Sequence, residues 1–397
     1  MKFSMIIEAQ LAWPTRENER QLFHDCVAQA LLAESLGFDR VWAVEHHALK
    51  WYAHMSAPEI FLTWVAAKTS RIRVGHGVVC LPFAYNHPIR VAERAATLDI
   101  LSRGRLDVGI GRGATVQELG GFGIDPAATL AQMVESVKMI PRMWLDEVFE
   151  WNGELLQVPP RPILPKPVQQ PHPPLFMACT RNETLELAAA LGLGALAMGW
   201  AGPEEVRHKR KIYDAATQAR SPDSIVGAVP NDYLAGMAPT CILPDGGLAR
   251  EIGLRGQRFF NDSIQHWYTG GPPPRADTDE EDNEAWLHQR RESVVAYLTE
   301  HGHQVPGLDL IRQASGVSVE VSKEVKIGSE ATGGFNPDQC YGTVKEGIEY
   351  VSAMRDAGAD EVMFCFQMGT VPQEVCMESI RLIGEQVIPK FAQRAPA

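Results

Sequence analysis

Asp39-Arg40-Val41-Trp42-Ala43-Val44-Glu45-His46-His47 is a short apolar run that ends abruptly in three titratable side chains. A buried parallel strand reads as a near-continuous apolar run, and Val41 to Val44 fits that description. The Glu-His-His follows at what would be the strand's carboxyl end, where parallel α/β folds bind ligands. Taken alone, His46-His47 reads equally well as a polar cap exposed to water. The segments around it decide between the two.

Working outward, strand-like and helix-like segments alternate. Strands are expected at Lys2–Ile7, Arg40–Val44, Ile72–Cys80, Arg105–Ile110, Leu175–Cys179, Ala195–Met198, Leu234–Leu243 and Glu361–Phe366. Helices are expected at Glu19–Leu36, Ala57–Thr69, Pro88–Leu101, Thr129–Trp144, Asn182–Leu191, about Pro203–Gln218, after Leu243 through about Phe260, and Pro372–Phe391. Gly37 is suited to the left-handed position that stops the first helix, and Pro58 and Pro88 to opening the second and third. Eight strands alternating with eight helices predict a parallel sheet closed into a (β/α)8 TIM barrel, with an open doubly wound sheet as the alternative.

Pro159 to Pro174 holds eight prolines in sixteen residues and cannot be helix or interior strand. It is expected to be an ordered, extended connector within one domain spanning 1–397. Residues 268–338 break the rhythm with Gly270-Gly271-Pro272-Pro273-Pro274 and the acidic run Asp277 to Glu284. They are expected to form an insertion after the seventh strand, which its glycines and prolines would suit to act as a lid.

The chain has 397 residues, 45% hydrophobic and 22% charged, with net charge -12, enough for a large globular core. The negative balance argues against nucleic-acid or anionic-membrane binding. No apolar stretch approaches the roughly 18 residues of a membrane span, and the N-terminus reads as a strand rather than a leader. Seven scattered cysteines without a C-x-x-C suggest neither zinc nor disulfides, and hence a cytoplasmic protein.

Two segments can grip an anion. Gly109-Ile110-Gly111-Arg112-Gly113-Ala114 lets backbone N–H groups approach a phosphate while Arg112 forks onto it, or it is simply a tight turn. Cys179-Thr180-Arg181-Asn182-Glu183-Thr184 opens a helix, with Thr180 or Asn182 placed to cap it and Arg181 alongside. Leu81-Pro82, Asn86-His87-Pro88, Trp200 and Gln367 also lie at strand ends. His87 can equally cap a helix, and Trp200 can equally be core. Trp51, Tyr52, His54, Phe83, Tyr85, Trp200, Trp267 and Tyr268 suggest a roomy aromatic pocket for an organic molecule. No metal-hydrolase, nucleophile-elbow or Walker motif occurs.

Met1-Lys2-Phe3, Gly37 to Trp42, Glu45-His46-His47, Leu81-Pro82, His87-Pro88-Ile89-Arg90, Gly104 to Gly113 and Gly369 to Pro389 together resemble the bacterial luciferase family of flavin-dependent monooxygenases. The resemblance implies a (β/α)8 barrel that binds reduced FMN. The phosphate would be held by Arg112 and the Thr180 to Thr184 turn, and the cofactor site as a whole would comprise Gly111, Arg112, Gly113, Cys179, Thr180, Arg181, Glu183, Thr184, Leu81 and Trp200. It assigns His46 as catalytic, with Glu45 and His47 beside it; Glu45 is placed to orient the imidazole or to tune its pKa. O2 would add at flavin C4a, giving a peroxyflavin that oxygenates a small organic substrate. A separate NAD(P)H:flavin reductase would supply the reduced flavin, and the chain would form a homodimer. Gly111 stands where the light-emitting chain has cysteine, and Arg181 where it has serine; both speak against light emission. The family also contains F420-dependent hydride-transfer enzymes, which are the alternative. A non-catalytic flavin binder is the second.

Overall fold

The structure is a computed structural model that describes residues 1–198, 202–275, 317–319, 325–327 and 338–391. Its strands are β1 (Lys2–Ile7), β2 (Arg40–Ala43), β3 (Arg73–Cys80), β4 (Leu106–Gly111), β5 (Phe149–Asn152), β6 (Gln157–Arg161), β7 (Leu175–Cys179), β8 (Gly194–Ala197), β9 (Leu234–Ile242), β10 (Val317–Val319), β11 (Val325–Ile327), β12 (Cys340–Gly342) and β13 (Glu361–Cys365). The order β13-β1-β2-β3-β4-β7-β8-β9 is parallel throughout. It closes on itself: β8 pairs with β9 at Ala195↔Leu234, and β9 pairs with β13. The expected eight-stranded parallel barrel is therefore present. β9 is long enough for its upper part to pair also with β12, Cys340 opposite Thr240.

The helices are α1 (Arg16–Ser35), α2 (Pro58–Lys68), α3 (Pro88–Leu101), α4 (Val116–Gly121), α5 (Thr129–Leu145), α6 (Asn182–Ala190), α7 (Gly202–Ala219), α8 (Gly246–Thr269), α9 (Val344–Asp356), α10 (Gln373–Leu382) and α11 (Ile388–Phe391), the last two joined by a π-helical turn, Ile383–Val387. Gly37 takes φ +85 after α1, and Pro58 and Pro88 each open a helix, as expected. Among the described residues no helix is long and apolar enough to cross a membrane.

Several elements go beyond the expectation, β12 among them. α4 and α9 are extra helices, and α8 runs nine residues past Phe260, to Thr269. Residues 157–161 of the proline-rich region pair with β5 as an isolated antiparallel hairpin. A two-stranded edge tolerates Pro159 and Pro160, whose missing N–H groups face no partner. The expected insertion, 268–338, lies mostly outside the described residues, as does Trp200.

Strand alternation sets the barrel interior. Arg40 and Trp42 point inward from β2. The Arg40 guanidinium donates to Asp107 of β4 at 2.6 Å and to Glu361 of β13. Arg73 adds a second donor to Asp107 at 2.7 Å. Glu361 also accepts from Trp42 Nε1 and the Tyr233 hydroxyl, each at 2.8 Å. Arg40 lies over the rings of Trp42 and Phe176 at 4.8 and 5.4 Å. This plug fills the amino-terminal end of the barrel. Above it the Trp42 indole leaves no room on β3, where a Cβ on Gly75 would come within 2.3 Å of the ring.

Removing one partner of a buried ion cluster strands the others. Arg40→Met should therefore destabilise the fold by about 3–5 kcal/mol in urea denaturation. A loss below about 1 kcal/mol would show that Glu361 and Asp107 are satisfied without it.

Candidate functional site

The plug leaves the carboxyl end of the barrel open, and there β2, β3, β4, β7 and β9 surround a cavity of about 240 Å³. Its walls are largely apolar: Val44, Val78, Met133, Met177, Met198, Met237, Phe260 and Ile264. Its polar groups fall into two sets.

The first set is cationic. Gly111-Arg112-Gly113 ends β4, and Thr180, Arg181 and Thr184 surround the start of α6. Neither guanidinium has an ion-pair partner among the described residues, and Arg181 Nε is buried without a hydrogen bond. Burial, helped by the like charge of Arg181, holds Arg112 below its ordinary pKa. Two unpaired guanidiniums facing each other at a helix amino terminus form a ready anion site. Gly113, at φ +78, lets the chain pass Tyr85, whose ring a Cβ would approach at 2.9 Å. Such a cradle fits a phosphate group. The expected capping differs: Arg181 is the N-cap, and the Thr184 hydroxyl, not Thr180 or Asn182, bonds the Arg181 backbone at 2.7 Å.

The second set surrounds His46. Its Nδ1 lies 3.0 Å from Glu118 of α4. Glu118 also accepts from the His47 backbone N–H at 3.0 Å and from the Thr115 backbone N–H and hydroxyl at 3.1 and 2.8 Å. The Tyr52 ring packs on the imidazole at 4.9 Å. Burial would push His46 down, but the Glu118 charge and hydrogen bond outweigh it and raise its pKa. Burial likewise pushes Glu118 up, and His46 with the surrounding donors more than offsets it. Glu118, not Glu45, therefore orients the imidazole, while the Glu45 charge adds to those that raise its pKa, as expected of it. The Glu45 carboxylate accepts from the Cys80 N–H at 2.7 Å and Asn86 Nδ2 at 2.8 Å, and faces His47 at 3.2 Å. It fixes the turn after β3, while Glu118 holds His46. Glu8, one residue past β1, also lines this part of the cavity and is only 2% exposed. Among the described residues no group of three or more His, Cys, Asp or Glu could hold a metal ion.

Residues 1–245 match the family model described as luciferase-like monooxygenase. The chain belongs to the luciferase-like monooxygenase family. It is 34% identical over 196 residues to the oxygenase component of a flavin-dependent trigonelline monooxygenase of Acinetobacter baylyi, covering 48% of this chain and 52% of that one. It is 30% identical over 186 residues to an F420-dependent glucose-6-phosphate dehydrogenase of Amycolatopsis mediterranei, covering 45% and 55%. These matches span about half the length of each curated relative. The fold matches that of the oxygenating constituent of 3,6-diketocamphane monooxygenase, a type II Baeyer-Villiger monooxygenase from the CAM plasmid of Pseudomonas putida, solved with FMN, at TM-score 0.69 and 17% identity over 98% of both chains.

Within this luciferase-like barrel the expected residues divide. Glu45, His46, Gly111, Arg112, Gly113, Thr180, Arg181 and Thr184 all line one cavity. His47 stands outside the lining, packed against the Tyr85 and Phe122 rings, which also touch each other. Leu81 is fully buried, its N–H bonded to the Gly111 carbonyl. Cys179 is buried, its thiol pushed up to about 12 by burial. Glu183 is exposed on the outer face of α6. Of the expected ring-bearing residues that are described, Tyr52 and Tyr268 line the cavity, whereas Trp51, His54, Phe83, Tyr85 and Trp267 do not.

Sequence reasoning missed Glu118 and Glu8. Thr115-Val116-Gln117-Glu118 carries the S/T-x-x-E pattern of a capping box, which would have placed a helix start and a carboxylate there. Nothing in that pattern tells that the carboxylate also reaches His46.

The sign of the coupling follows from the two shifts. The Glu118 contribution is present above its ordinary 4.5 and lost as pH falls, and the His46 contribution is present below its ordinary 6.5 and lost as pH rises through the raised value. Glu118→Gln should cost about 2–3 kcal/mol, most between about pH 4.5 and 6.5. It should also lower the His46 titration followed by NMR; an unmoved imidazole would separate the two residues.

Proposed function

We propose that this chain is the oxygenase component of a two-component flavin-dependent monooxygenase. It takes reduced FMN from a separate NAD(P)H:flavin reductase and uses O2 to oxygenate a small organic molecule. The observation that carries this reading is the pairing, in one apolar cavity, of an unneutralised Arg112–Arg181 site with a buried His46 held by Glu118. Reduced FMN, when bound, would supply the electrons for the activation of O2. The protein supplies the rest. Arg112, Arg181 and the α6 amino terminus hold the phosphate. Glu118 engages Nδ1 of His46, leaving Nε2 to give or take a proton. The methionine and aromatic walls exclude water from the reacting atoms.

Anaerobic mixing with photoreduced FMN, followed by an oxygen pulse, tests the reading. The bound flavin should reoxidise more slowly than free flavin, and His46→Ala should change that time course. Arg112→Ala and Arg181→Ala should each weaken reduced-FMN binding by roughly ten- to hundredfold, the contribution of a charge-assisted hydrogen bond. Hydride transfer with F420 is the second reading, favoured by the F420-dependent relative. Binding of reduced F420 without FMN binding or oxygen consumption would replace the first reading with it.

The chain is further read as a single barrel domain with 268–338 inserted in it, located in the cytoplasm, where seven free, buried cysteines need no oxidation. It is also read as a homodimer. Phe23, Ile60 and Trp64 open an apolar groove on α1 and α2, with Ile60 69% and Trp64 57% exposed, and α3 adds Arg90, Glu93 and Arg94. Mixed charges beside an apolar stripe suit a second copy of the same surface. Sedimentation should show a dimer, and Trp64→Glu should convert it to folded monomer; a monomeric wild type would refute the assembly.

A further inference from the structure

Three carboxylates gather at the His46 end of the cavity, and two are fully engaged. Glu118 is bound by His46, His47 and Thr115, and Glu45 by Cys80 and Asn86. Glu8 is the third. It lines the cavity, is 2% exposed, and its Oε2 is buried with no hydrogen-bond partner. A buried carboxyl without a partner is costly, and such a group in a cavity wall is the usual device for fixing a ligand's orientation. The phosphate is provided for at the opposite, arginine end. The same cavity is also lined by Met237, Phe260 and Ile264, which suit an apolar body.

We propose that Glu8 anchors the organic substrate by accepting a hydrogen bond from it, so that substrates of this site carry a hydroxyl or a protonated amine on an otherwise apolar frame. This deepens the oxygenase reading and rests on it for the word substrate. The groups that face Glu8 are His46 after β2, Tyr52 in the following loop, Glu118 of α4, Tyr268 at the end of α8 and Cys365 at the end of β13. Burial, against the opposing charge of His46 and with that of Glu118, lifts the Glu8 carboxyl to about 7. In the empty site it is thus partly protonated at neutral pH. An arriving ammonium favours the ionised form, so its binding strengthens as pH rises through that value. A hydroxyl is accepted by either form and shows a weaker dependence.

The test uses the full chain and three matched probes, benzylamine, benzyl alcohol and benzyl methyl ether, the last lacking a donor. Calorimetry measures each with and without FMN, on wild type, Glu8→Gln and the apolar near-isostere Glu8→Met. Benzyl alcohol or benzylamine should bind wild type roughly tenfold tighter than the ether, and in Glu8→Met that preference should vanish. An amine-binding site would show affinity rising between about pH 6 and 8, lost in Glu8→Gln; a hydroxyl-binding site would favour the alcohol with little pH change. Equal binding of the ether, no binding of either donor, or a donor preference that survives in Glu8→Met would overturn the anchor. FMN affinity, measured in the same three proteins, keeps the two questions apart. FMN failing to bind any of them would refute the flavin reading alone, because the probe series without FMN still decides the role of Glu8.

Discussion

The structure depends on one buried cation. Arg40 enters the barrel from the first position of β2 and is neutralised by Asp107 and Glu361, which arrive from strands 67 and 321 residues away. A guanidinium cannot be buried without such partners, so the placement of β4 and β13 across the barrel from β2 is constrained by charge as well as by apolar contact. Trp42, two residues on, fills the next layer and excludes any side chain at Gly75. The amino-terminal half of the barrel is consequently solid. Within the barrel, the cavity of the described residues begins at Val44, and the same strand that plugs the bottom delivers Glu45 and His46 to the top.

At that open end the charges are sorted rather than mixed. Arg112 and Arg181 stand together uncompensated, which is unfavourable until an anion arrives. Across the cavity His46 is favoured in its charged form by Glu118, while Glu8 is held near neutrality by burial. Three carboxylates with the same intrinsic chemistry thus do three things. Glu45 ties down a backbone turn, Glu118 orients an imidazole, and Glu8 remains free to meet a ligand. Neighbours and solvent access, not residue type, separate them.

Much of this was legible before folding. Parallel strands buried on both faces are continuous apolar runs, so all eight barrel strands were found within a residue or two of their ends. Proline-opened helices and the glycine stop after α1 were equally plain. The misses have physical reasons. α4 is six residues long and polar, too short to show a helical period, although its capping box was there to read. β6 contains two prolines and survives only as one edge of a hairpin. The aromatics around the strand ends were correctly placed near the mouth, but which ones enter the cavity depends on loop conformation, and most turn elsewhere.

By itself the sequence determined the barrel, its strand order and the end at which titratable residues collect, because hydrophobic period and strand-end polarity are local properties of the chain. It also placed His46, Arg112 and Arg181 at that end. Only the tertiary structure decided the partners. Glu118 reaches His46 across 72 residues in place of the adjacent Glu45, and Arg112 meets Arg181 from a different strand. Residues next to each other at a strand end project in opposite directions, so neighbours in sequence are seldom neighbours in the site. The pairs that set protonation and open a binding position form only when the sheet closes.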